Sequence, residues 1–542
     1  MKSGENYNSR RTFIKKIAAL SIIAAVPSLL VSCKDKLIEI ALKLTGTNHI
    51  LGHRLWLKNF PKPTKEIKIP YLIVGGGISG LSAARQFKRK GIEDFLVLEL
   101  ENKLGGNSAN GENQYSKFPL AAHYLPLPNV RDKELLNFLE ESKIIVDYKD
   151  NLPVFDETQL CFDPNERLFI RNSWQTDLIP RYGNSKEVDN QMDLFLQKMT
   201  EFRENKGKDG KYFFDIPMSF CSSDESLNSL DEITMKKWLL DNNFTAEEIL
   251  EYVDYCCKDD FGLGIEFVSA WAGIHYFAAR KHENNKYDDT VLTWPEGNGR
   301  LVKHLKSAVE NKVLKNHLVY DIQLNSDGVK VLVFNAKSNQ SITVLAEKVI
   351  LATPQYITKY LVSERKNTAN NFHYAPWFTA SITLTDIPDN GSFPLSWDNV
   401  IYKAKGLGYV YNQHQNLEQI IDKKVITYYY SFSSNDIKKD RKELLKKPIE
   451  HWKELVLSDL KIAHPDIDQY ISEIEIHRIG HGMISPVPNF LKSKSLKEAS
   501  KSIENKIFFA HSDLAGISIF EEAFHQGINI VNKIVDGTTL DS

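Results

Sequence analysis

In the stretch YLIVGGGISGLSAARQFKRKGIEDFLVLELENKLGG, residues 71–106, an apolar run passes directly into glycines and then into a helical repeat. Tyr71 to Val74 has the pattern of a short, buried parallel strand. Gly75, Gly77 and Gly80 follow in G-x-G-x-x-G spacing and open a helix whose apolar positions are Leu81, Ala84 and Phe87. Glycines at these places permit a tight turn and let backbone N–H groups approach a pyrophosphate, while the helix N-terminus supplies partial positive charge. A second strand, DFLVLE, ends on Glu99, 19 residues beyond Gly80, where a carboxylate can accept both ribose hydroxyls. Strand, turn, helix, strand and terminal acid in register predict a βαβ dinucleotide-binding unit.

Bulk properties narrow the rest. The chain has 542 residues, enough for two or three domains, and its net charge of −2 offers no basic excess for nucleic acid. Beyond Cys33, the cysteines are Cys161, Cys221, Cys256 and Cys257, too few for a disulfide scaffold and without metal-ligand spacing. Cys256 and Cys257 are adjacent, so a strained vicinal disulfide or two thiols are both open. GLG at 262–264, GNG at 297–299 and GLG at 406–408 lack the strand-turn-helix register, so nicotinamide is not the expected electron partner.

Gly105 and Gly106 closely follow Glu99, and VLELENKLGGN resembles the flavin amine oxidase and phytoene desaturase superfamily, with Asn107 where that family usually has arginine. NKVLKNHLVYDIQLNSDGVKVLVFNAKSNQSITVLAEKVILATP reads as short strands around turns, ending at Ala352-Thr353-Pro354, and is similar to the part of the family that returns to its FAD domain. NKIFFAHSDLAGISIFEEAFHQGINIVNKIV resembles the family's closing motif. The resemblance implies noncovalent FAD held by Gly75, Gly77, Gly80, Glu99, Gly105 and Gly106. It also implies Val319 near the adenine, Asp513 at the ribityl and phosphate end, and a helix beginning near Glu521 or Glu522 at the flavin pyrimidine. The implied fold is α/β: a Rossmann-like FAD-binding domain, parallel sheet plus β-meander, with an α+β substrate domain inserted in two segments. The FAD-binding parts are expected at 70–124, 291–355 and 491–536, and the substrate parts at 125–290 and 356–490.

The substrate segments are rich in aromatics, as in YYYSF and WAGIHYFAAR. By the resemblance, His123 falls where the family's chain passes the isoalloxazine, and His481 just before the closing motif, where members commonly place substrate-facing residues. An imidazole with its pKa close to working pH could take a proton from a substrate N–H or C–H as hydride leaves. Arg478 and Tyr124 are lesser candidates, and each histidine also has a purely structural reading. Many members carry a lysine near flavin N5; YAPWFTASITL has none, which makes oxygen, a quinone or a redox protein equal contenders as acceptor. The expectation is an FAD-dependent oxidoreductase taking hydride from a C–N or C–C bond of a small or amphipathic substrate. The alternative is a non-catalytic flavin-binding or redox subunit of a membrane-associated complex.

Ahead of all this, NSRRTFIKK at residues 8–16 precedes IAALSIIAAVPSLLVSC. Ser9, Arg10, Arg11, Phe13, Ile14 and Lys15 match a twin-arginine export pattern, and Leu30-Val31-Ser32-Cys33 resembles a lipobox with Cys33 as the lipidated residue. Residues 1–33 are therefore expected as a signal, with the protein exported, periplasmic and held at a membrane surface by lipid. Residues 34–69 are expected as an arm in which Leu37, Ile38, Ala41 and Leu42 share a helical face. No later stretch is long and apolar enough to span a bilayer.

Overall fold

The apolar run at Tyr71 is the buried end of a twelve-residue strand, Pro63–Val74, in which Leu72, Ile73 and Val74 are fully or nearly fully enclosed. The computed structural model describes residues 40–281, 283, 290–389, 391–417 and 422–537. The expected signal and Cys33 lie outside them.

Pro63–Val74 is flanked on both sides by parallel neighbours, which explains its apolar sequence. Phe95–Glu99 pairs with it from Tyr71↔Phe95 to Val74↔Leu98, and Gln340–Leu351 from Ser341↔Pro63 to Leu351↔Val74. Val313–Lys315 extends the sheet beyond Phe95–Glu99 in parallel, with Lys315 opposite Glu99. On its other edge Gln340–Leu351 has two successive partners. Its first half pairs with Gly328–Asn335, which continues antiparallel to His317–Asn325, and its last residues pair in parallel with Ile507–Phe509. The chain thus enters this sheet three times, as a βαβ unit, as a meander and as a closing strand.

Helix Ile78–Arg89 covers one face of the sheet, and the last helix, Phe520–Asp536, packs against it. A Cβ at Gly527 would lie 2.2 Å from the Ser79 carbonyl oxygen and 2.8 Å from the Ala83 nitrogen, so the two helix backbones meet there without a side chain between them.

The second sheet has eight strands in the order Ala41–Gly46, Ile471–Ile484, Tyr374–Leu384, Lys424–Ser431, Tyr409–Tyr411, Asp398–Ile401, Glu166–Ile170, Ser173–Thr176. Its pairings are antiparallel except at Ala41–Gly46 with Ile471–Ile484 and at Asp398–Ile401 with Glu166–Ile170. One core joins it to helices Lys186–Glu204, Met235–Asp241, Glu247–Phe261 and Ala270–Ala278, and another to helix Ile449–Ala463. Covered on both faces, the central strand Tyr374–Leu384 is buried at all eleven positions.

The predicted helical face at Ala41 and Leu42 is corrected: these residues are in an edge strand paired with Glu473 and Ile474. The sheet edge supplies backbone partners that a short isolated helix lacks. A helix does follow, at His49–Leu57. The four described cysteines are free, so Cys256 and Cys257 are two buried thiols. Among the described residues no helix is long and apolar enough to cross a membrane.

Replacing Gly527 by Val should destabilise the fold by about 1–3 kcal/mol through overpacking of the two helices. The urea unfolding midpoint would report it, and an unchanged midpoint would contradict the close contact.

Candidate active site

Gly75 leaves the sheet at φ +110, and a Cβ there would lie 2.4 Å from the Ala352 carbonyl oxygen. Gly80 sits so close to the preceding turn that its Cβ would meet the Gly75 carbonyl oxygen at 1.9 Å. Gly77, the N-cap of helix Ile78–Arg89, has no side chain to cap the helix, and a Cβ there would point into open space. The helix therefore presents its first N–H groups to a gap lined by backbone, the arrangement a pyrophosphate requires.

Glu99 closes this turn from the neighbouring strand. One carboxylate oxygen accepts the Gly76 N–H at 2.7 Å and the other the Glu101 N–H at 2.7 Å. Burial pushes its pKa up to about 7, against the pull of those donors. Gly105 donates its N–H to the Gly76 carbonyl at 2.8 Å, bringing the second glycine pair onto the first turn. The Asn107 side-chain amide, in the position of the expected arginine, donates to the Gly482 carbonyl of the large sheet. Asn107 therefore links the two sheets. Val319 is buried at the start of the meander, beside the bulge between Val319 and Asp321.

Asp513 is almost wholly buried, and its carboxylate accepts the Gln355 N–H at 2.8 Å and the Tyr374 hydroxyl. It thereby ties the closing motif to the ends of two other segments. The Gln355 side chain is completely buried, yet neither its amide nitrogen nor its oxygen has a hydrogen-bond partner. An open glycine turn, an uncapped helix and an unsatisfied buried amide beside Asp513 fit an extended dinucleotide that supplies the missing partners.

The structure separates the two candidate histidines. His123 packs with Tyr429 at 4.5 Å between ring centroids, Tyr124 at 4.9 Å and Trp397 at 5.7 Å. His481 stacks on Tyr356 at 3.9 Å and meets Tyr374 at 5.8 Å. His481 sits between two glycines where three residues of one strand, Ala375 to Trp377, face five of the other, Ile479 to Met483. The expectation of an imidazole titrating near working pH is corrected. Burial lowers His123 to about 4, and burial with the nearby Arg441 and Lys359 charges lowers His481 to about 2. Both are neutral at pH 7. Arg478 spends its guanidinium on the Leu444 and Leu445 carbonyls, at 3.2 and 3.0 Å, at the end of helix Ile437–Lys446. That is a helix-capping role.

Around His123 and Tyr124 the fold assembles acids that lie far apart in sequence. Tyr124 faces Asp259, and Asp259 and Asp260 are consecutive on helix Glu247–Phe261. Asp398 and Glu166 are register partners on neighbouring strands. Burial, reinforced by the other acids, raises Asp259 to about 8 and pushes Asp398 up; burial raises Asp260 to about 6. Asp259, Asp260 and Tyr124 keep some accessible area although burial dominates their electrostatics. Tyr429 is 5% exposed, feels the Asp259 and Asp398 charges, and has no hydrogen-bond partner for its hydroxyl. The cation at the edge, Arg280, is 2.8 Å from Glu521 in the first turn of the closing helix.

Sequence reasoning missed this cluster of acids and tyrosines. One local signal was present: Asp259-Asp260 stands in the last turn of a helix, where the macrodipole disfavours negative charge. The Asp398–Glu166 pairing has no local signal at all.

Residues 78–535 match the family described as flavin containing amine oxidoreductase. The chain belongs to this family. This flavin amine oxidoreductase is an FAD-dependent enzyme that holds its cofactor noncovalently. A redesigned putrescine oxidase shares its fold with a TM-score of 0.65 at 14% identity, over 87% of this chain and 100% of that one. Cyclohexylamine oxidase from Brevibacterium oxydans IH-35A gives 0.61 at 13%, over 86% and 99%. A CLA-producing fatty acid isomerase from P. acnes gives 0.60 at 13%, over 86% and 99%. In sequence, a lysine-specific histone demethylase 1B homolog of Caenorhabditis elegans is 22% identical over 311 residues, 55% of this chain and 33% of that protein. The match thus spans about a third of that relative's length.

Glu99→Ala removes a charge-assisted hydrogen bond to the Gly76 turn, a contribution of about 1.5–3 kcal/mol, and should weaken FAD binding by about tenfold or more. Flavin released on dilution measures it. Asp259→Asn should raise the melting temperature at pH 8, raise it less at pH 5 and leave it unchanged at about pH 3. The raised pKa means the folded state holds its proton while the unfolded state loses it, so wild-type stability falls as pH climbs from about 4 to 8.

Proposed function

We propose that this enzyme oxidises a C–N bond of a cationic amine bound at this cluster beside His123. The observation that carries the reading is the coupled set of buried acids Asp259, Asp260 and Asp398, beside Arg280, which acts on Asp260 and is held by Glu521. Ionised carboxylates in such a place repel one another, and an ammonium ion relieves both the repulsion and the desolvation. Tyr124 and Tyr429 add ring faces and hydroxyls suited to holding it. The carboxylate of a fatty acid would meet the same charges as repulsion.

FAD held by the Gly75–Gly80 turn, Glu99 and Asp513 would supply the hydride acceptor for the carbon next to nitrogen. The chain's own residues bind the ammonium form, orient it against the aromatic wall, and take up the proton it must lose before its lone pair can assist hydride departure. Asp259, with a pKa of about 8 and Tyr124 facing it, is suited to hold that proton. Neutral His123 accepts or donates a hydrogen bond there without adding positive charge. Oxygen or a quinone-type acceptor reoxidises the enzyme. This reading includes the expected boundaries of the FAD-binding and substrate segments, supported by the threefold return to the nucleotide sheet. It also includes export by the twin-arginine route, supported by Ser9-Arg10-Arg11 and the apolar run after it.

The test is anaerobic mixing with monoamines, diamines and unsaturated fatty acids while following flavin absorbance. Bleaching by amines is expected, with kcat/KM rising between about pH 6 and 8 as Asp260 and Asp259 ionise, and with that rise flattened in Asp259→Asn. Bleaching by the fatty acids alone would overturn the amine reading.

A further inference from the structure

The short helix His49–Leu57 has two apolar faces. Leu51 and Leu55 are buried against the nucleotide domain, joining a core that includes Val319 and Phe334. The opposite face shows Ile50 at 75% exposure, Trp56 at 58% and Leu57 at 75%. At 100° per residue these three side chains fall within one arc of the helix, with His53 between them stacked on Trp56 at 4.1 Å. Tyr360, itself exposed, lies 6.4 Å from Trp56 and widens the patch. Lys359, over the Tyr360 ring, and the exposed Lys58 at the end of the helix place positive charge at its rim.

Three large exposed apolar residues on one nine-residue helix are more than scattered surface hydrophobics, and such clusters mark a contact surface. The position in the chain indicates what covers it. The apolar run Ile17–Val31, preceded by Arg10, Arg11, Lys15 and Lys16, ends at Cys33, eight residues before the strand Ala41–Gly46 that leads into this helix. Eight residues reach at most about 29 Å even when fully extended. If the apolar run or a lipid on Cys33 is held in a bilayer, the start of the strand lies within that reach of it, and the helix, 16 residues from Cys33, within about 58 Å. Trp at the rim, aliphatics beside it and lysines around them form the composition that seats at a lipid interface.

We propose that His49–Leu57 is a membrane-docking helix, with Ile50, Trp56 and Leu57 entering the interfacial layer of an anionic bilayer. The helix also touches the cofactor region, because the Asn48 N–H donates to the Glu101 carboxylate at 2.6 Å, two residues from Glu99. Docking therefore orients the nucleotide-sheet edge of the enzyme toward lipid. This surface is independent of the amine reading, which concerns the opposite sheet.

The experiment uses the full-length, FAD-loaded protein reconstituted in vesicles of phosphatidylglycerol and brominated phosphatidylcholine in equal amounts. Tryptophan emission should be quenched by the brominated lipid in the wild type, with the quenched component missing in Trp56→Phe and retained in Trp452→Phe, whose indole is in the core. Ile50→Glu with Leu57→Glu should reduce the quenching while flavin content, the check on folding, stays the same. Equal quenching in wild type and Trp56→Phe would overturn the proposal. So would a Trp56 signal shielded from both acrylamide and brominated lipid, which would mean that residues 1–39 or a second copy cover this face.

Discussion

The hydrogen bond from the Gly76 N–H to the Glu99 carboxylate holds together the end of the molecule on which the remainder is built. It joins the turn after Pro63–Val74 to the tip of Phe95–Glu99, and it orients a carboxylate at the place where a ribose is expected. Around it the backbone closes in from several sides: Gly80 against Gly75, Gly75 against Ala352, Gly105 onto Gly76. The first two approaches are possible only without a Cβ, so the turn tolerates little change. The closing helix depends on the same economy, since Gly527 rests directly on the backbone of the helix that begins there.

The opposite constraint governs the cluster in the substrate half. Its acids are held where ionisation is costly, and their raised pKa values record strain that the fold sustains. The large sheet makes this possible: its strands are covered by helices on both faces, and the covering core fixes Asp398 opposite Glu166. A site of this kind loses folding stability as pH rises and regains it when a cation binds, which is the thermodynamic form of a preference for positive ligands. His123, packed on Tyr124 and Tyr429, is part of the same balance, because burial keeps its imidazole uncharged.

Much of the nucleotide half was legible in residues 71–106 because a βαβ turn is a local object. Its spacing, its apolar runs and its terminal acid all lie within one stretch, and the structure places Gly75, Gly77, Gly80 and Glu99 around one gap. The return strand ending at Ala352-Thr353-Pro354 was legible for the same reason, as an apolar run with a stop. Ala41 and Leu42 misled, since a four-residue apolar pattern suits either a helix or an edge strand and only the partner, Ile471–Ile484, decides. Asp513 was found by its motif, but its bonds to Gln355 and Tyr374 come from segments more than a hundred residues away. His123 and His481 were found as residue types, and their pKa values depend on burial that no local pattern reports.

By itself the sequence determined that this chain grips a dinucleotide, because the grip is made by backbone geometry that glycine spacing encodes directly. Which residues face the substrate was decided by tertiary structure. Asp259, Asp398, Tyr124 and Tyr429 come from a helix and three strands of different segments, and their meeting is set by sheet order and by the packing of helices on that sheet. Charge repulsion and desolvation act through space, so neither can be read from positions along a chain.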